Sequence, residues 1–214
     1  ELEFLRVGNK HSCEPAFHEF LLENKVHQLP DVNHVDELIR GTRIIVGTVS
    51  SLSGMTDLLC CKVFSLAIVD EASQLLEPHL LPLMMAGEGE HLAIDRFVLI
   101  GDHKQLPAVV QQTANDSRVQ EEELLAIGLT DCRNSLFERL YNSIPKCCIH
   151  EFTKQGRMHP DIADFANRKF YAREQLECVP LAHQLEQTLN YNEASEDETD
   201  DVLKAHRMIF IPSR

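Results

Sequence analysis

No stretch of the sequence is apolar over the roughly 20 residues that cross a bilayer, so no membrane partner is expected. No basic segment followed by an apolar one opens it, and nothing signals secretion. There is no C-x-x-C, and the seven cysteines include two adjacent pairs, Cys60-Cys61 and Cys147-Cys148. That excludes the usual zinc spacings and argues against a disulfide framework. Reduced thiols in a cytoplasmic protein, or a nuclear one if the source is eukaryotic, are the expectation. None of the nine glycines is followed by Lys-Ser or Lys-Thr, so the phosphate-cradling form G-x-x-x-x-G-K-[ST] is absent. Positive charge is scarce: 20 Lys and Arg stand against 34 Asp and Glu, a net charge of −14. This balance argues against a general nucleic-acid coat protein, while leaving room for a local basic groove.

What is present is a chain of 214 residues, 43% hydrophobic, long enough for one or two domains with a real core. Charge is segregated. Six acids crowd into Glu193–Asp201, which reads as a solvated acidic loop, whereas Lys154–Arg173 carries five Lys/Arg against two Asp. Three short apolar runs, Arg43–Val49, Val63–Val69 and Arg96–Ile100, are near-continuous rather than alternating. That pattern predicts buried strands of a parallel sheet covered on both faces. A further strand is expected at Met208–Ile211. Helices are expected over Leu75–Ala86, bent or broken by Pro78 and Pro82, and over Ser135–Tyr141 and Pro160–Tyr171. The polar stretch Gln111–Thr130 reads as a long loop or an exposed helix. Strand–helix alternation gives an α/β class. A hinge is expected around residues 142–152, near Pro145.

Three segments carry chemistry. In Ala67–Gln74 (AIVDEASQ) an apolar strand delivers Asp70 and Glu71 at its C-terminal end, the ligand side of a parallel sheet. Asp70 suits Mg²⁺, which keeps much of its hydration, and Glu71 suits the orientation or deprotonation of a water. In Phe97–Pro107 (FVLIGDHKQLP) a second strand ends at Gly101, followed by Asp102 and Gln105. The Gln105 side chain both donates and accepts. In Gln155–Pro160 (QGRMHP) the Arg157 guanidinium, just before a helix, suits bidentate phosphate binding. Each segment alone also reads as an ordinary strand end, a polar turn or a surface arginine.

Taken in order, IVDEASQ, GDHKQLP and Q-x-RMHP followed by a FANRKFY helix resemble superfamily 1 helicases. More narrowly they resemble the Upf1-like and Dna2-like group within the 5′-to-3′ branch, as motifs II (Walker B), III and IV. Thr48-Val49-Ser50-Ser51 is similar to that family's motif Ic, and Leu5-Arg6-Val7-Gly8 to the stretch before it. The resemblance implies a RecA-like P-loop NTPase fold, with a parallel sheet flanked by helices. It implies Mg²⁺ on Asp70, a catalytic carboxylate at Glu71, a γ-phosphate sensor at Gln105 and an arginine finger at Arg157. Gly101, Asp102 and Gln155 fall in the nucleotide-contacting motifs. Thr48 and Ser50 become the candidates for phosphate contacts to a single strand.

Implied with these are ATP and Mg²⁺, and single-stranded nucleic acid as partner, DNA ahead of RNA. The implied layout is residues 1–145 as the C-terminal part of lobe 1 and 146–214 as the beginning of lobe 2. The Walker A loop and motifs Ia, V and VI are not in the sequence. The expectation is therefore an internal piece of a larger helicase, inactive without the rest of that chain. The alternative is a degenerate or truncated helicase-like binding module without ATPase activity. Gly156 stands where the family carries an aromatic, usually Tyr. No nuclease or Fe–S cysteine pattern accompanies the motifs.

Overall fold

The computed structural model describes residues 3–185 and 206–210. The chain divides into two compact units, Glu1–Ile144 and Pro145–Arg214. In the first unit the order is β1 (Phe4–Val7), α1 (Leu22–Val26), α2 (Val32–Gly41), β2 (Ile44–Gly47), α3 (Val49–Ser53) and α4 (Thr56–Cys60). There follow β3 (Ala67–Val69), α5 (Glu77–Met84), β4 (Gly87–Glu88), β5 (His91–Leu92), β6 (Phe97–Leu99), α6 (Glu122–Ala126) and α7 (Leu136–Ser143).

Two parallel pairs form the frame. β1 lies beside β2 with Phe4 opposite Ile44, and β3 lies beside β6 with Ala67 opposite Phe97. Parallel neighbours need a crossover between them, and the helices supply it. Side chains that alternate along these strands have different fates. Ile45, Ala67 and Phe97 pack against a core of Ile39, Leu58, Leu59 and Leu83, from α2, α4 and α5. Val69 joins a second cluster with Ala72, Leu80 and Leu136, which ties α5 and α7 to the end of β3. The residues between them point the other way. Ile68 is 65% exposed and its register partner Val98 is 44% exposed, and Ile44 and Val46 of β2 are exposed too. The expectation of a sheet covered on both faces is thus corrected: helices cover one face. The apolar run gave no alternation because both faces are apolar, not because both are buried.

Local chemistry sets the ends of the helices. The Asp31 carboxylate accepts from the Asn33 and His34 amides at 2.9 and 3.1 Å and so starts α2. The Lys62 ammonium donates to the carbonyls of Arg40 and Thr42, where α2 ends and unpaired carbonyls favour a cation. Ser135 caps α7 by accepting from the Glu138 amide at 3.1 Å. α5 is shorter than expected. Pro78 falls in its first turn, where a missing N–H is harmless, and the helix runs through Pro82 to Met84. Gln111–Thr130 is largely irregular, with the exposed five-residue α6 within it.

The second unit contains a short 3₁₀ turn (Lys146–Cys148), β7 (Lys154–Gln155), α8 (Pro160–Lys169), β8 (Glu177–Cys178) and α9 (Ala182–Leu185). β7 and β8 pair in parallel through the α8 crossover. Asn167 of α8 fastens that crossover. Its side-chain amide donates to the Leu176 carbonyl at 2.9 Å, and its oxygen accepts from the Leu176 amide at 2.8 Å. The expected strand at Met208–Ile211 is corrected for residues 208–210, which form none. Among the described residues their amides find no parallel neighbour of the kind that β7 finds in β8. Ile211 and the acidic stretch 193–201 lie outside the described residues.

Candidate active site

The ends of β3 and β6 build the site. The pairing continues one residue beyond the strands: the Ile100 amide donates to the Val69 carbonyl at 2.8 Å, and the Ala72 amide donates to the Ile100 carbonyl at 2.8 Å. Asp70–Ser73 and Gly101–Gln105 therefore leave adjacent parallel strands at the same, C-terminal end. In such a sheet that end is where ligands sit.

Glu71 has a left-handed backbone, φ 51° and ψ 35°. For a residue with a Cβ this costs roughly 1–2 kcal/mol, and such strain collects at functional sites. The turn is braced on both sides. Asp70 Oδ1 accepts from the Glu71 amide at 3.0 Å, and Gln74 Nε2 donates to Glu71 Oε2 at 3.1 Å. Both carboxylates are solvent-exposed, while Ala72 and Ser73 immediately after them are buried.

Across the pair, Asp102 organises its own turn. Its Oδ1 accepts from the Lys104 amide at 3.0 Å, and its Oδ2 accepts from Gln105 Nε2 at 3.1 Å. Its carbonyl accepts from the Gln105 amide at 3.1 Å. His103 packs its ring on Tyr141 of α7, centroids 4.7 Å apart. Gly101 has a steric reason. A Cβ there would lie 2.8 Å from the Ser73 amide nitrogen and 3.1 Å from its Oγ. The Ser73 hydroxyl accepts from the Asp102 amide at 3.1 Å. Ser73 is a residue that sequence reasoning missed. The available signal was a small polar residue three positions after a strand-end carboxylate, opposite a strand that ends in glycine.

The structure thus brings Asp70, Glu71, Gly101, Asp102 and Gln105 together. Thr48 and Ser50 lie after β2. The Thr48 hydroxyl is engaged as the cap of α3, accepting from the Ser51 amide at 3.2 Å and donating to Ser51 Oγ at 2.9 Å. Ser50 is exposed on that helix.

In the second unit, Gln155 Oε1 accepts from the Arg157 and Met158 amides at 2.9 and 2.7 Å, and its Nε2 donates to the Met158 carbonyl at 3.0 Å. Gln184, fully buried, closes the same loop by donating to the Gln155 and Met158 carbonyls at 3.2 and 2.9 Å. This bracing presents an exposed Arg157 just ahead of α8. A Cβ at Gly156 would meet only Leu181, at an ordinary 3.5 Å, so the backbone does not demand glycine.

Among the described residues no three His, Cys, Asp or Glu side chains gather into a metal cage. A pair of exposed carboxylates at a strand end still fits Mg²⁺, which takes one or two protein carboxylates and completes its shell with water and phosphate oxygens. Among the same residues no helix is long and apolar enough to cross a membrane.

Comparison with known proteins adds the following. Two family models, each described as an AAA domain, match residues 23–113 and 132–211. The DNA replication ATP-dependent helicase/nuclease DNA2 of Mus musculus is 32% identical over 178 residues, 82% of this chain and 14% of that protein. The DNA polymerase alpha-associated DNA helicase A of Saccharomyces cerevisiae is 27% identical over 93% of this chain and 28% of its own length. An uncharacterized ATP-dependent helicase of Methanocaldococcus jannaschii is 29% identical over 72% of this chain and 20% of its own. The chain therefore spans a minor share of each relative. The AAA matches carry a P-loop NTPase fold with them, in keeping with the parallel pairs and crossover helices. Motif order and these matches agree, and the chain belongs to the superfamily 1B helicases, in their Upf1-like and Dna2-like group.

Proposed function

We propose that the full-length protein is an ATP-dependent helicase that moves on single-stranded nucleic acid, DNA in preference to RNA. The observation that carries this reading is the pairing of β3 with β6, which sets Asp70 and Glu71 beside Gly101 and Gln105 at one sheet end. In it, Asp70 holds Mg²⁺, whose charge offsets that of the nucleotide phosphates. Glu71, exposed and set by its left-handed turn, orients the attacking water and takes its proton. Gln105, steadied by Asp102, reads the γ-phosphate and reports its loss. Arg157, held out by the Gln155 loop, supplies the guanidinium that stabilises charge on the transferred group. Gln155 acts through that loop.

In this reading the first unit belongs to RecA-like lobe 1 and the second to lobe 2. The phosphate cradle comes from a strand outside these 214 residues. β6 pairs on one edge only among the described strands, and Ile68 and Val98 leave an apolar face bare. A further parallel strand and its helix fit that edge and that face. Ser50 and the first turn of α3 lie on the path of the strand's phosphates, and such contacts position without reading sequence.

The test is ATP hydrolysis by the full-length protein with and without single-stranded DNA or RNA, together with unwinding of a tailed duplex. Hydrolysis stimulated by the single strand, with unwinding from a 5′ tail, is expected. Tight single-strand binding without hydrolysis would identify a binding module instead.

A further inference from the structure

Ser73 is buried, at 5% exposure, between the two turns that carry Glu71 and Gln105. Neither an apolar core role nor solvation explains a hydroxyl there. Its Oγ accepts the Asp102 amide proton across the strand pair at 3.1 Å. Its backbone sits so close to Gly101 that no side chain fits between them. On one side, the preceding residue is clamped to β6 by the bond from the Ala72 amide to the Ile100 carbonyl at 2.8 Å. Glu71 is therefore one peptide from a fixed point. On the other side, Asp102 holds Gln105 twice, through its carbonyl and through Oδ2, both at 3.1 Å. The hydroxyl links the carboxylate turn to the glutamine turn through a side chain.

We propose that Ser73 is a positioning residue for ATP turnover. It sets the place of Gln105 relative to Glu71 by holding the Asp102 amide. This rests on the roles given above to Glu71 and Gln105. A hydroxyl suits the position: alanine loses the acceptor, and threonine keeps it. Removing one acceptor from a part-buried amide displaces the turn that it held, and hydrogen bonds of this kind matter by a factor of a few to about ten. The effect falls on kcat, because Gln105 acts on the reacting phosphate and not on the bulk of nucleotide binding.

The experiment is a double-mutant cycle on single-strand-stimulated ATP hydrolysis by the full-length protein, using Ser73→Ala, Gln105→Ala and the pair. Ser73→Ala is expected to lower kcat roughly three- to tenfold with KM for ATP within about twofold. Ser73→Thr, which keeps the hydroxyl, should recover most of the loss. In the Gln105→Ala background, Ser73→Ala should change kcat little further. If Ser73→Ala unfolds the protein, Ser73→Cys, a weak acceptor of similar length, carries the same comparison.

Full additivity of the two substitutions, or an unchanged kcat in Ser73→Ala, overturns the role of Ser73 while leaving Gln105 in place. An unchanged kcat in Gln105→Ala alone overturns the reading of Gln105, and this proposal with it.

Discussion

Gly101 approaches Ser73 so closely that a Cβ on it would stand 2.8 Å from the Ser73 amide nitrogen. The neighbour is backbone, already fixed by the strand pair, and cannot swing aside. Gly101→Ala should therefore destabilise the first unit by about 1–3 kcal/mol, the usual size of overpacking. Denaturant unfolding of the full-length protein measures this. A midpoint equal to wild type would mean that the two turns separate more easily than their hydrogen bonds suggest.

A second expectation concerns Glu77 at the start of α5 and Arg139 of α7. Their side chains are each 13% exposed, and Arg139 Nε donates to Glu77 Oε2 at 2.9 Å. Arg139 Nη1 also donates to the Ile127 carbonyl at 3.0 Å. Glu77→Ala leaves a guanidinium with little access to water, so a loss of about 3 kcal/mol is expected. A loss below about 0.5 kcal/mol, the range of exposed pairs, would show that the pair opens to solvent.

Acid sensitivity should follow from Asp131. A bidentate hydrogen bond from the Arg133 guanidinium, aided by the Arg133 amide, holds its carboxyl well below the usual carboxylate range. The value is depressed in the folded state. Its stabilisation is therefore complete above the unfolded value, about 4, and is lost as pH falls through the folded value. Asp131→Asn should lower stability at neutral pH. That deficit should shrink as the wild-type carboxyl becomes protonated in acid. Unfolding midpoints of the two proteins from pH 7 downward test this, and a gap that stays constant or widens in acid would contradict it.

Arg157→Ala should depress kcat by roughly 10³-fold or more if the residue works as an arginine finger, with far less change in nucleotide affinity. The bracing by Gln155 and Gln184 does not involve the Arg157 side chain, so the fold should survive the substitution. A kcat within a factor of about two of wild type corresponds to less than 1 kcal/mol of barrier. That result would make Arg157 a surface residue.

The sequence foretold some parts of this architecture and not others, for physical reasons. Val69 and Ile100 end apolar runs that lead into polar motifs, and those runs contain the paired strands β3 and β6. The apolar spacing over Ser135–Tyr141 and the first-turn proline at Pro160 likewise placed α7 and α8 to within about two residues. Strand length was not legible. Val63–Leu66 continues the same mostly apolar run, but only Phe64 bridges a neighbour among the described residues, Ile94, before β3 begins. The bare face was not legible either, because Ile68 and Val98 look the same in sequence whether or not a helix covers them. Ser73 escaped because its importance lies in a contact 29 residues away, with Asp102. Gln155 and Thr48 were legible as polar residues in motifs, but their local hydrogen bonds were not.

The central claim is that Glu71 is the carboxylate through which the full-length protein hydrolyses ATP. The most direct measurement compares ATP binding and single-strand-stimulated turnover in wild type and Glu71→Gln. The amide keeps the size of the side chain and its contact range to Gln74, but it cannot take a proton from water. ATP binding within a few-fold of wild type, with turnover reduced by about 10²-fold or more, is the predicted result. Near-normal stimulated turnover in Glu71→Gln, with the fold intact, would contradict it.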